Sequence, residues 1–194
     1  MLRQLCILFY IILIPLSILS QAKNEKEERI DLEKLPVKSK IIIKNLPNNC
    51  KKLKFYKETD NSRQSYEAKF KFKKRRYSLE FKSSGDIEDL EVKVKFNSIV
   101  KNAKKTITDY LKNTFKSYKI LKVQKQYILG KDASPSIQIE EILEEKSHIM
   151  PNYEIIAEVK SQSGRSIREI LFSHTGQLLN IRFVNPSSYG HILY

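Results

Sequence analysis

The chain has 194 residues and a formal charge of +14, a length that suits one domain or two small ones. It has two cysteines, three histidines and five glycines, with no HExxH or CxxC motif and no Gly-rich phosphate loop, which excludes the usual zinc and nucleotide signatures.

Met1-Leu2-Arg3 carries one positive charge, Leu5 to Leu19 is apolar apart from Ser17, and Ser20-Gln21-Ala22 follows. That order predicts a secretory signal peptide over 1–22. The apolar run spans about 22 Å as a helix, short of the roughly 30 Å hydrocarbon core, so an uncleaved anchor is the weaker alternative. Cleavage would leave 172 residues and a charge of about +13, with no second run long enough to span a membrane. An exported protein, periplasmic or secreted, is expected. Only Cys50 would remain, so no intrachain disulfide is available and the fold must hold by its core.

Residues 23–34 begin with KNEKEER, mixed charges with no apolar face, and read as a solvated linker. Structure is expected from Leu35 onward. From there the chain repeats itself. Tyr66-Glu67, Phe81, Gly85, Leu90 and Val92 find counterparts in Tyr153-Glu154, Phe172, Gly176, Ile181 and Phe183, and LKFYKE (from Leu53) matches LKVQKQ (from Leu121). The second copy has 19 more residues between the first match and the Tyr-Glu pair, and four more in its middle turn.

Each copy reads as a helix followed by four strands. Tyr66, Ala68, Phe70 and Phe72 alternate with Glu67, Lys69, Lys71 and Lys73, which is the period of a half-buried strand. Lys73 to Arg76 make a turn, Tyr77, Leu79 and Phe81 resume the apolar face, and Gly85 permits the next turn. A short helix is expected from about Pro36 to Leu46, with Pro36 in the first turn. A longer one is expected where Ile99, Ala103, Ile107, Tyr110, Leu111 and Thr114 recur at spacings of three and four. The fold class is therefore α+β: two tandem helix-plus-antiparallel-sheet units, 35–96 and 97–185, with helices on one sheet face and a tail over 186–194.

The extra 19 residues fall in an insertion at about 130–151. Ser134 and Pro135 can start a short helix there, with Ile139, Ile142 and Leu143 on its apolar side and Glu144 among its acids. Two expectations compete: a solvated helix that covers the sheet end, and a partner-binding element built on Ile139, Ile142, Leu143 and Glu144.

The repeat unit resembles the PepSY-like, β-lactamase-inhibitor-like domains of secreted bacterial proteins. The likeness rests on Leu35-Pro36, KKLKFYKETD, SYEAKF, SLEFKSSG and LEVKV, and in the second copy on ILKVQKQY, NYEIIAEV, EILFSHTG and QLLNIRF. The second copy lacks the Leu-Pro step and carries the insertion. The resemblance implies a non-catalytic envelope or secreted protein that binds, and in some relatives restrains, another protein. Fold alone does not fix that role.

No catalytic, cofactor or metal constellation stands out. His148, His174 and His191 lie apart from one another, and Ser173-His174-Thr175 are neighbours in sequence whose side chains diverge. The acids Glu88, Asp89 and Glu91 read as exposed. The strongest chemical signal is basic: Lys69, Lys71, Lys73, Arg75 and Arg76 could gather an anionic polymer, lipid or acidic protein on a solvated strand face. Export and the absence of stacking aromatics argue against nucleic acid.

Overall fold

A computed structural model describes residues 23–131 and 133–185. The expected signal peptide and tail lie outside the described residues. One antiparallel sheet carries nine strands in chain order: β1 Glu25–Ile30, β2 Lys51–Asp60, β3 Arg63–Phe72, β4 Arg75–Lys82, β5 Ile87–Lys93, β6 Ser117–Tyr127, β7 Asn152–Ser161, β8 Gly164–Phe172 and β9 Leu178–Phe183. Among the described residues three α-helices accompany it: α1 Val37–Lys44, α2 Lys101–Thr114 and α3 Pro135–Leu143. The architecture is α+β, as the alternating patterns predict.

Strand pairing follows the sequence repeat. Phe55 faces Ala68, and the matching Val123 faces Ile155. Tyr66 faces Phe81, as Tyr153 faces Phe172. Leu79 faces Leu90, as Ile170 faces Ile181, and a register shift follows directly in both, between Glu80 and Phe81 and between Leu171 and Phe172. The two Phe-to-Gly turns also close alike. The amide of Gly85 donates to the Lys82 carbonyl, and that of Gly176 to the Ser173 carbonyl.

These glycines are required twice over. Each has a left-handed φ, +84° at Gly85 and +87° at Gly176. Each also touches a helix start: a Cβ on Gly85 would lie 2.7 Å from Pro36 Cβ, and one on Gly176 2.5 Å from the Ala103 carbonyl oxygen. His174, in the same turn, is exposed.

Buried side chains gather in two main clusters. Ala103, Ile107 and Leu111, one turn apart on α2, join Val123, Tyr153, Ile155, Ala157, Val159, Ile170 and Phe172. The other cluster holds Ala68, Phe70, Phe72, Tyr77, Leu79, Phe81, Leu90 and Val92, with Ile43 from α1. A helix of eight residues is about 12 Å long, against about 21 Å for the fourteen of α2. The shortfall is made up by α3, whose Ile139, Ile142 and Leu143 join this cluster from some forty residues or more further along the chain than its last strand residue, Val92.

Two sequence expectations are corrected here. Ile139, Ile142 and Leu143 cannot present a partner surface, because all three are buried in the chain's own core. Glu144 pairs instead with Lys73 at 2.5 Å, and Glu145 with Arg75 at 2.5 Å, so the acidic insertion clips onto the basic β3–β4 turn. Residues 23–34 are not a solvated linker: they form β1 and a 3-10 turn, Leu32–Lys34. The strand was missed because it shows almost no apolar alternation; its inward positions are charged.

β1 pairs with β2 along its length. At its start, Lys23 forms a parallel bridge with Val184, its amide donating to the Phe183 carbonyl at 2.7 Å and its carbonyl accepting from Asn185 at 3.1 Å. The sheet thus curls until its first and last strands meet.

Two outcomes are expected. Gly176→Ala should cost about 2 kcal/mol or more, from backbone strain and overlap with α2, while His174→Ala stays within about 0.5 kcal/mol. Calorimetry of both variants checks this; a destabilising His174→Ala would restore a role for the histidine. Ile139→Ala should cost about 2–5 kcal/mol as a buried truncation, and denaturant melts showing no loss would contradict its place in the core.

Candidate functional site

Curling turns the polar face of the sheet inward. Alternate residues of β1 to β5 place Glu25, Glu27, Glu58, Glu67, Glu80, Asp89 and Glu91 on it, and β7 and β8 add Glu154 and Glu169. Cross-strand register sets Glu27 against Glu58, Glu67 against Glu80, and Glu80 against Asp89. Glu58, Glu67, Asp89, Glu91 and Glu169 are all buried. The reading of Asp89 and Glu91 as exposed is therefore wrong, because a polar strand face is wet only while nothing closes over it.

Part of this charge is paired. Lys23 Nζ lies 2.7 Å from Glu25 and 2.8 Å from Glu169. Arg182 donates to Glu169 through Nε at 2.9 Å and reaches Asp60 at 3.4 Å. Lys69 Nζ binds Glu27 at 2.7 Å and Glu67 at 2.9 Å, with the Tyr56 ring 4.8 Å from the same nitrogen. Burial opposes ionisation of Glu67 and Glu169, yet Lys69, Glu58 and Ser78 hold the first below the usual carboxylate range, and Lys23 and Arg182 hold the second there.

The remaining acids go the other way. Burial, with Glu67 beside it, pushes Glu58 well up. Burial, with Asp89 and Glu67, does the same to Glu80, and burial with Glu154 and Glu80 to Glu91. Asp89 is raised to about 7 by burial and by Glu88 and Glu154; Glu154 is raised to about 7 by burial and by Glu169. Like charges in a dry site cannot all ionise.

Next to this acidic interior opens a cleft of about 460 Å³ with a basic wall: Lys52, Lys54, Lys69, Lys71, Arg76, Lys93 and Lys122, with Tyr56 beside them. Glu27, Glu67 and Gln124 form its boundary with the interior. The strands set cations directly opposite one another. Lys71 faces Lys51 on one side and Arg76 on the other, and Lys54 faces Lys69. Like charges so placed are destabilising by about 0.2–1 kcal/mol each. A register shift between Lys51 and Lys54 puts Lys52 at a left-handed φ of 59°, a strained conformation for a lysine beside a cleft. Burial and the charges of Lys122 and Arg76 lower the pKa of Lys93. Among the described residues, Lys52, Lys54, Lys71, Arg76 and Lys122 form no ion pair.

The five basic residues singled out in the sequence are thus divided. Lys71 and Arg76 line the cleft unpaired, and Lys69 lines it while holding two carboxylates. Lys73 and Arg75 are directed to α3 and its acids. Sequence reading missed Lys93 and Lys122, which join the cleft because β5 pairs with β4 and β6 with β5. It also missed the carboxylate interior, although the hairpin register implied by the repeat would have stacked Glu67, Glu80 and Asp89 on one face. Cys50 is half-buried, and burial pushes its thiol up to about 11, which argues against a nucleophile.

No family model matches the chain, and no curated protein does. Solved structures do. A candidate periplasmic protein from Bacteroides eggerthii aligns with a TM-score of 0.51 at 12% identity, over 77% of this chain and 88% of its own. A DUF2874 family protein from Bacteroides ovatus gives 0.50 at 10% identity, over 77% and 87%. A BLIP-like protein from Bacteroides fragilis gives 0.47 at 13% identity, over 77% and 86%. At such identities the first two matches establish a shared fold. Among the described residues, no helix is long and apolar enough to cross a membrane.

The raised carboxyls give a definite pH dependence. The unfolded chain releases these protons near pH 4, whereas folded Asp89 and Glu154 release theirs near 7. Between those values the folded state binds more protons, so stability falls as pH rises, by at most about 1.4 kcal/mol per pH unit for each such group. The paired Glu67 and Glu169 act oppositely, losing their contribution as pH falls below 4. In the presence of a chelator, Tm should peak near pH 5 and decline toward pH 8, with a shallower decline in Asp89→Asn. A Tm that climbs steadily from pH 5 to 8 would contradict the buried-acid account.

Proposed function

We propose that this chain is an exported, non-catalytic binding protein whose basic cleft receives an acidic segment of another envelope or secreted protein. The observation that carries the reading is the like-charge ladder around the cleft, Lys51–Lys71–Arg76 and Lys54–Lys69, which an anion would relieve. A fold does not otherwise benefit from cations stacked across neighbouring strands. Arg76 offers a planar fork for a carboxylate, and the lysines offer adaptable donors.

Two tandem units, 35–96 and 97–185, are proposed as the organisation, with 23–34 as an added closing strand. The repeated pairings and paired glycine turns support this. Export into a periplasm is supported by the signal-like N-terminus and by the description of the Bacteroides eggerthii neighbour as a candidate periplasmic protein. An inhibitory or regulatory role follows only from the resemblance to PepSY-like and β-lactamase-inhibitor-like domains. A second reading, an anionic polymer in the same cleft, uses the same residues.

Fluorescence anisotropy separates the readings. A labelled oligoglutamate peptide should bind the wild type and lose about tenfold or more in affinity between 50 and 300 mM salt. Lys71→Glu with Arg76→Glu should abolish binding, while Lys105→Glu, exposed on α2 and outside the cleft lining, leaves it intact. Tighter binding of polyphosphate than of the peptide would favour the polymer. Binding that ignores both salt and the double variant would remove the cleft from consideration.

A further inference from the structure

The interior contains two trios of carboxylates in which one oxygen from each residue lies within 4.8 Å of the others: Glu25, Glu27 and Glu58, and Glu80, Asp89 and Glu91. They differ in what answers their charge. Lys23 contacts Glu25, and Lys69 contacts Glu27, so the first trio has two cations built in. The second has none in contact. Glu91 accepts from the Gln124 amide, Asp89 Oδ2 accepts from the Gln126 amide at 2.9 Å, and Glu80 forms no ion pair among the described residues.

A second observation is independent of the clustering. Asp89 is 3% exposed, and its Oδ1 is buried without any hydrogen-bond partner. An orphaned buried carboxylate oxygen costs more than the roughly 1–3 kcal/mol of a neutral group, and folds keep one where something else satisfies it. Beside the trio lies a cavity of about 40 Å³, lined by Glu80, Glu91 and Glu154 and also by Lys23, Lys69 and Lys122; Asp89 is not part of its wall, so the site is placed by the trio's own oxygens rather than by this cavity.

We propose that Glu80, Asp89 and Glu91 bind a divalent, oxygen-preferring cation of the calcium type. A cation with ligand distances of about 2.3–2.6 Å separates its ligand oxygens by up to about 5 Å, the spacing of this trio. Calcium suits the irregular, all-carboxylate set better than magnesium, which demands near-octahedral geometry at shorter distances and keeps its waters. The chain contains its own comparison, which rests on the tandem reading above. At the matching positions of the second unit stand Leu171, Asn180 and Arg182, with Leu171 facing Asn180 as Glu80 faces Asp89. The fold therefore does not need acids there. Where the second unit supplies a covalent cation, Arg182, the first supplies Glu91 and a vacancy of charge that a metal ion fills.

The experiment is isothermal titration of chelator-stripped, full-length mature protein with CaCl2 and separately with MgCl2 at pH 7.5. One calcium site is expected, with Kd of about 10⁻⁵ to 10⁻³ M, weaker magnesium binding, and proton release seen as a dependence of the heat on buffer ionisation. Saturating calcium should also raise Tm by several degrees, as any ligand selective for the folded state does. Asp89→Asn and Glu91→Gln should each weaken binding about 30-fold or more, whereas Glu58→Gln, in the other trio, should leave it within about threefold. No heat and no Tm shift in 10 mM CaCl2 on the wild type would overturn the proposal whatever the variants do, since the trio is then neutralised by protons alone. Loss of binding in Glu58→Gln but not in Asp89→Asn would overturn it as well. Neither result bears on peptide binding at the basic cleft, which anisotropy reads separately.

Discussion

The organising constraint is the closure made by Lys23. Its backbone joins the start of β1 to the end of β9, and its ammonium group, gripped by Glu25 and Glu169, is the counter-charge placed at that seam. An open sheet with helices on one face leaves its other face to water, where carboxylates cost nothing. Once the edges meet, that face becomes an interior, and every acid on it must find a cation, a proton or a donor. The ion pairs of Glu67 and Glu169, the raised carboxyls of Glu58, Glu80 and Glu91, and the amides of Gln124 and Gln126 are all answers to that demand.

The helix face was largely legible in the sequence. Period-two alternation marked β3 and β4, and spacings of three and four marked α2; positions matched in sequence, such as Tyr66 with Tyr153 and Gly85 with Gly176, also share strand register and turn geometry. What escaped was the polar face. Alternation tells which residues point away from the helices but not whether water meets them, because that depends on curvature. β1 escaped for the same reason: with Glu25 and Glu27 inward, its pattern has no apolar stripe to detect. The site was half legible. Lys71 and Arg76 were singled out in the sequence, whereas Lys93 and Lys122 were not, because the pairing of β5 with β6 across the long α2 connection is not written in either strand's alternation.

The insertion illustrates a different limit. Its apolar residues looked available for a partner because the sequence gives no measure of how much sheet α1 can cover. An eight-residue helix leaves the first core exposed, and α3 fills the gap from the other half of the chain. Glu144 and Glu145 then draw Lys73 and Arg75 away from the cleft. Each of these exposed pairs contributes at most about 1 kcal/mol, but together they fix which basic residues remain for an outside anion.

The seam also imposes an order of events. β1 and β9 come from opposite ends of the described chain, so their contact carries the largest loop-closure cost and rewards it last. Until the final strand is in place, the acidic interior stands open like an unlidded vessel. Protons or ions can then enter from bulk solvent while the acids are still hydrated, with no need to pass through a finished wall. A protein translocated N-terminus first would complete its interior only after its last strand arrived, in the solvent of its destination. The chemical content of that interior would then record the compartment in which folding finished.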